Sequence, residues 1–314
     1  MTFFRSVSTS CASLFGLVLA LVACDGGSSA APAPGGADGG ADASGGGDGS
    51  GGGDGSGGGD GSGGGGGAPH VVPGTDEHFT LLFRDDFDDL DTSRWQLMTH
   101  SWDTNLALFS ADTVSVEDGH MTLRLLPAPE GTVDDTGATK PFLGAEVRSR
   151  DTLTYGRVRA RAKLAKGSAV ISSLVTIYTP WPADDWNELD IECLGKDPQN
   201  IQFNAMVYTG PPTTPPVTTS VSPTQDPLLV DLGFDPSEDF HEYTIEWTPE
   251  GAFFFVDGEL LRTWTKSIDR MTLPQNVLLT IWASSSVGWA GPVKDETAGA
   301  SAVYDWVELY TYDR

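Results

Sequence analysis

From Phe79 onward the chain sustains no helical period; short runs of β-branched and aromatic residues alternate with turn formers instead. Val114–Val116, Met121–Leu126, Val158–Lys163, Ile171–Tyr178, Leu189–Leu194, Ile201–Tyr208, Tyr243–Trp247, Phe253–Val256, Val277–Trp282 and Val303–Tyr310 all read as strands. Glu117-Asp118-Gly119 and Asp257-Gly258 fall between such runs as hairpin turns, since Asp-Gly accepts the positive φ of a two-residue loop. So many short strands in one domain predict an all-β fold, an antiparallel β-sandwich. Gly210–Asp231, rich in Pro and Thr, is predicted to be a long loop or insertion.

The first 70 residues follow a different logic. Arg5 precedes the apolar run Cys11–Ala23, which is too short to span a bilayer but suits the core of an export signal. Leu21-Val22-Ala23-Cys24 resembles the bacterial lipobox, so residues 1–23 are predicted to be a lipoprotein signal peptide and Cys24 the lipidated residue. Residues 24–70 form a predicted linker, in which Gly45–Ser62 is three copies of Gly-Gly-Gly-Asp-Gly-Ser. With no apolar group to bury, no fold there offsets chain entropy. A flexible spacer of that length reaches roughly 35–40 Å. Residues 71–314 are then the folded domain, on an exported protein that is periplasmic or at the cell surface.

Charge narrows the partners. Residues 71–314 carry 17 basic and 38 acidic side chains, so the acidity belongs to the folded part. Such a surface repels polyphosphate, and no nucleic-acid partner is expected. Three cysteines give no disulfide framework, and five scattered histidines give no zinc spacing.

The chemistry concentrates in Trp186-Asn187-Glu188-Leu189-Asp190-Ile191-Glu192-Cys193-Leu194-Gly195. On a strand, Glu188, Asp190 and Glu192 share one face while Leu189, Ile191 and Cys193 enter the core. Cys193 is then a small buried hydrophobe rather than a reactive thiol. Aligned carboxylates repel one another and raise each other's pKa values, which lets one stay protonated while another ionises. The Cα atoms of Glu188 and Glu192 lie ~13 Å apart on such a strand. Two inward-leaning Glu side chains can close that gap to the roughly 5–5.5 Å of a retaining glycosidase, and Asp190 stands between them.

The segment resembles the active-site strand of glycoside hydrolase family 16, most closely the bacterial lichenases (endo-1,3-1,4-β-glucanases). Ala145-Glu146-Val147-Arg148-Ser149, Tyr155-Gly156, Ile201-Gln202-Phe203-Asn204, Val256-Asp257-Gly258 and Tyr304-Asp305-Trp306-Val307 extend the likeness over most of the domain. The resemblance implies a concanavalin-like jelly roll, with Glu188 as nucleophile, Glu192 as general acid/base and Asp190 tuning both. It also implies that Glu146, Arg148 and Asn204 line donor subsites, that Trp186 and Trp282 are stacking platforms, and that Trp289 lies on the acceptor side. Departures from the lichenase pattern at Asn187, Thr280, Ala283 and Met206 support catalysis better than lichenase specificity.

The function implied is a retaining endo-β-glycosidase acting on β-1,3-1,4- or β-1,3-glucan. Alternatives are a glucan or xyloglucan-type transglycosylase and a non-catalytic carbohydrate-binding module. No cofactor is expected for catalysis. A structural Ca2+ is expected at Asp305, with carbonyl ligands from Gly119 and Asp86. The expected partners are the polysaccharide and, through lipidated Cys24, a membrane; a monomer is expected.

Overall fold

The computed structural model describes residues 73–179, 185–209 and 224–313. The predicted signal peptide, Cys24 and the linker lie outside the described residues, as does most of the segment predicted to be a loop at 210–231.

Two sheets make the fold. The eight-stranded sheet runs in the order Glu259–Trp264, Gly251–Val256, His241–Thr248, Gly156–Lys163, Ser301–Tyr312, His120–Arg124, Val114–Glu117, with Phe79–Asp85 also paired to Ser301–Tyr312. At the centre of the ten-stranded sheet, Asn200–Thr209, Asp185–Leu194, Val170–Ile177, Gln275–Ala283 and Phe142–Leu153 lie side by side. Pairing is antiparallel throughout except where Ala107–Phe109 joins Phe142–Leu153 in parallel. The expected jelly-roll sandwich is therefore the observed one.

The core lies between the sheets because alternate residues of each strand point there. Val158, Ala160, Ala162, Ile245, Leu189, Ile191, Cys193, Phe203, Leu279 and Ile281 are fully buried in one apolar cluster. The predicted hairpins form as expected: Asp118 and Gly119 have φ of 53° and 72°, Asp257 and Gly258 of 50° and 79°.

All ten predicted strands are present, some longer than their apolar runs. Two expectations change. Within the predicted loop at 210–231, Thr224–Gln225 and Leu228–Asp231 are strands paired to Asn200–Thr209. Edge pairing satisfies the backbone and needs no apolar alternation; Leu228 and Leu229 stay exposed. The twelve-residue strand Phe142–Leu153 was legible only as motif residues. Its inward positions are the small Gly144 neighbours Ala145 and Val147, and its other face carries Glu146 and Arg148, so no apolar run marks it.

Candidate active site

Strand register assembles the site. Glu192 stands opposite Gln202 on one side and Ser173 on the other; Thr280 and then Glu146 continue that row across the sheet. Asp190 heads the next row, between Asn204 and Val175, followed by Leu278 and Arg148. Glu188 pairs with Met206 and Ile177. The three carboxylates thus share the sheet face turned away from the core, as the alternation required. Around them Val175, Ile177, Trp186, Met206 and Leu278 form a second, separate apolar cluster.

That apolar floor controls the protonation of the trio. Asp190 and Glu192 are buried, and Glu188 is half-buried. Burial raises the Glu188 carboxyl to about 7, against hydrogen bonds from Trp186 and Asp190 that favour its charged form. The Trp186 Nε1–H donates to Glu188 Oε2 at 2.6 Å. Burial, then the charge of Glu188, raises Glu192 to about 8, while Gln202 opposes the shift. Asp190 is pushed well above the ordinary range by burial and by both neighbours, with Asn204 opposing. The sequence points to like charge as the source of such shifts. Burial is instead the leading cause, and two hydrogen bonds do not outweigh it at Glu188.

Glu146 behaves oppositely. Burial pushes its carboxyl up, but His100 and Arg148 outweigh that and hold it below the ordinary range. His100 Nε2 lies 3.1 Å from Glu146 Oε2, and Arg148 Nε donates to Oε1 at 3.0 Å. Glu146 is therefore a fixed negative charge that further raises Glu188. Asn204 supports the trio rather than opening to solvent: its Oδ1 accepts from the backbone N–H groups of Ala205 and Asp226, and its amide faces Asp190.

The tryptophans divide. Trp186 holds Glu188 and joins the floor cluster. Trp282 and Trp289 are largely buried, their ring centroids 5.8 Å apart. Trp102 packs edge-on against Trp282 at 5.0 Å and is the more accessible ring. Sequence reasoning missed His100, Trp102 and the role of Gln202. The first two lie in a stretch of irregular backbone whose position no periodicity reveals. Gln202 had a signal, since it falls on the same face as Asn204 two residues on.

The expected metal residues come together only in part. The Asp86 carbonyl lies 3.9 Å from where a Cβ at Gly119 would stand, at the turn carrying His120. The Asp305 carboxylate, however, is engaged by Arg161, with His120 Nε2 at 3.8 Å. As they stand these groups do not form an oxygen cage, and a cation would compete with Arg161. Among the described residues no group of three or more His, Cys, Asp or Glu side chains could hold a metal ion.

The family model described as "Glycosyl hydrolases family 16" matches residues 103–308, a span that contains the carboxylate strand and every strand flanking it. The chain belongs to that family. It is therefore a glycoside hydrolase, acting on O-glycosyl bonds. A beta-glucanase of Brevibacillus brevis is 32% identical over 232 residues, covering 72% of this chain and 80% of the relative. A solved prokaryotic beta-1,3-1,4-glucanase (lichenase) derived from a mouse hindgut metagenome aligns with a TM-score of 0.61 at 31% identity, covering 74% of this chain and 98% of that one. The Bacillus licheniformis beta-glucanase structure aligns with the same TM-score at 28% identity, covering 73% and 97%.

Proposed function

We propose that this chain is an endo-β-glucanase that cleaves β-1,3-1,4- or β-1,3-glucan with retention of configuration. The observation that carries the reading is the trio Glu188, Asp190 and Glu192 on one strand face, over an apolar floor whose burial raises both glutamates above the ordinary carboxylate range. Beta-glucanases among the relatives and structural neighbours support the substrate class.

In this mechanism the Glu188 carboxylate attacks the anomeric carbon and forms a glycosyl ester as the C–O bond to the leaving sugar breaks. Glu192 gives its proton to the departing oxygen. Now ionised, Glu192 takes a proton from water, whose oxygen attacks the same carbon and returns Glu188 as a carboxylate. Trp186 and Asp190 hold the Glu188 oxygens in place for attack. Trp102, the more accessible ring packed on the buried Trp282, supplies an apolar face for sugar. We further propose lipidation at Cys24, membrane attachment through it, export to the periplasm or cell surface, and a monomeric state.

Reducing-sugar release from barley β-glucan, laminarin and xyloglucan tests this reading. It predicts release from one of the first two and at least a 10⁴-fold loss in Glu188→Ala, as removal of a covalent nucleophile elsewhere produces. Release from none of the three, or wild-type activity in Glu188→Ala, would remove it.

A further inference from the structure

We propose that Trp289 is a positioning residue that acts through Gln202: its indole N–H locks the Gln202 amide so that Gln202 offers Glu192 a donor and never an acceptor. The inference rests on the reading of Glu192 as acid/base.

A glutamine amide can turn either end toward a neighbour, whereas an indole N–H can only donate. Trp289 Nε1 donates to Gln202 Oε1 at 3.0 Å, and Gln202 Nε2 donates to Glu192 Oε2 at 2.8 Å. Turning the amide over would set two donors face to face at Trp289 and two oxygens face to face at ionised Glu192. All three side chains are less than 10% exposed (Gln202 6%, Glu192 7%, Trp289 8%), so little water is at hand to relieve either clash. The partners come from distant parts of the chain. Gln202 is fixed opposite Glu192 by strand register. Trp289 sits on the short helix Val287–Ala290, which is tied down by Ala169 N–H to Ala290 O at 2.7 Å and by Lys196 Nζ to Gly288 O at 2.9 Å.

The lock has two consequences for the reaction. A donor on Oε2 directs the acidic proton to Oε1, since Oε2 has no acceptor to give it to. It also favours the carboxylate left after the first step, against the burial and the Glu188 charge that raise Glu192. The titratable groups on the same strand face as Glu192 are Glu188 and Asp190; Glu146, hydrogen-bonded by Arg148 and His100, ends the row across the sheet with Ser173 and Thr280 between, and Lys196 holds Gly288 next to Trp289.

The test compares kcat/KM against pH for wild type, Trp289→Phe, Gln202→Leu and the double variant. Losing the Gln202 hydrogen bond to a charged group moves the alkaline limb up by roughly one unit in Gln202→Leu, and Trp289→Phe, which frees the amide to turn and accept from protonated Glu192, moves it in the same direction. The double variant should move no further than Gln202→Leu. A raised KM in Trp289→Phe with the limb in place, or additive shifts in the double variant, would overturn the lock and leave Trp289 a sugar contact. Should Trp289→Phe fail to fold, the 15N-labelled indole N–H of Trp289 decides. Its resonance should shift strongly on Gln202→Leu, and no shift would refute the contact. If Glu192→Ala keeps wild-type hydrolysis, the acid/base reading itself falls; if Glu192→Ala is inactive while the limbs stay put, only the lock falls.

Discussion

Glu192 and Glu188 make the active-site strand a cost to the fold at alkaline pH. Their carboxyls are raised from the ordinary 4.5 to about 8 and about 7. Between those values the folded chain holds protons that the unfolded chain has released, so stability is fully present below about pH 4.5 and falls as pH rises toward 8. Glu192→Gln removes one titrating group while keeping its shape. Its melting temperature should fall less than that of wild type over this window and should stand about 5 °C higher near pH 8, a value that corresponds to 1–3 kcal/mol for a domain of this size. Parallel melting curves for the two proteins across the window would contradict the raised Glu192. Asp190 adds to the same trend, since burial and then both flanking glutamates push its carboxyl well above the ordinary range.

Strands were legible where burial imposes a pattern and illegible where it does not. Val170–Ile177 is buried at every position and Leu189–Leu194 alternates core residues with carboxylates, so both stood out as sequence. Trp95–Leu97, Ala107–Phe109 and Leu228–Asp231 are three or four residues long and lie toward sheet margins, where backbone pairing alone defines them. The alignment of the three carboxylates followed from a period of two. The loop residues His100 and Trp102 did not, because their place depends on how the segment before Ala107 crosses the sheet edge. The turn between Val114–Glu117 and His120–Arg124, the end of Phe79–Asp85 and the strand Ser301–Tyr312 meet near Asp305, and here the family resemblance still motivates a structural calcium. That proposal requires Arg161 to yield the Asp305 carboxylate to the cation. Calcium should then raise the melting temperature by several degrees and EDTA should reverse the rise, with Asp305→Ala insensitive to both. An unchanged melting temperature in wild type would remove the ion from the account.

The molecule as a whole pairs a strongly acidic folded domain with a Gly-rich N-terminal segment that begins at Cys24. Among the described residues no helix is long and apolar enough to cross a membrane. If lipidated Cys24 is the anchor, Cys24→Ser should move the protein from the membrane to the soluble fraction of lysed cells; persistence in membranes would exclude lipid attachment there. The configuration of the first product decides whether Glu188 attacks the anomeric carbon. Proton NMR of a β-glucan oligosaccharide digest, recorded within the first minutes, should show the β-anomer of the new reducing end appearing first and mutarotating to α. Initial appearance of the α-anomer would mean inversion, with water rather than Glu188 attacking the anomeric carbon, and would contradict the account.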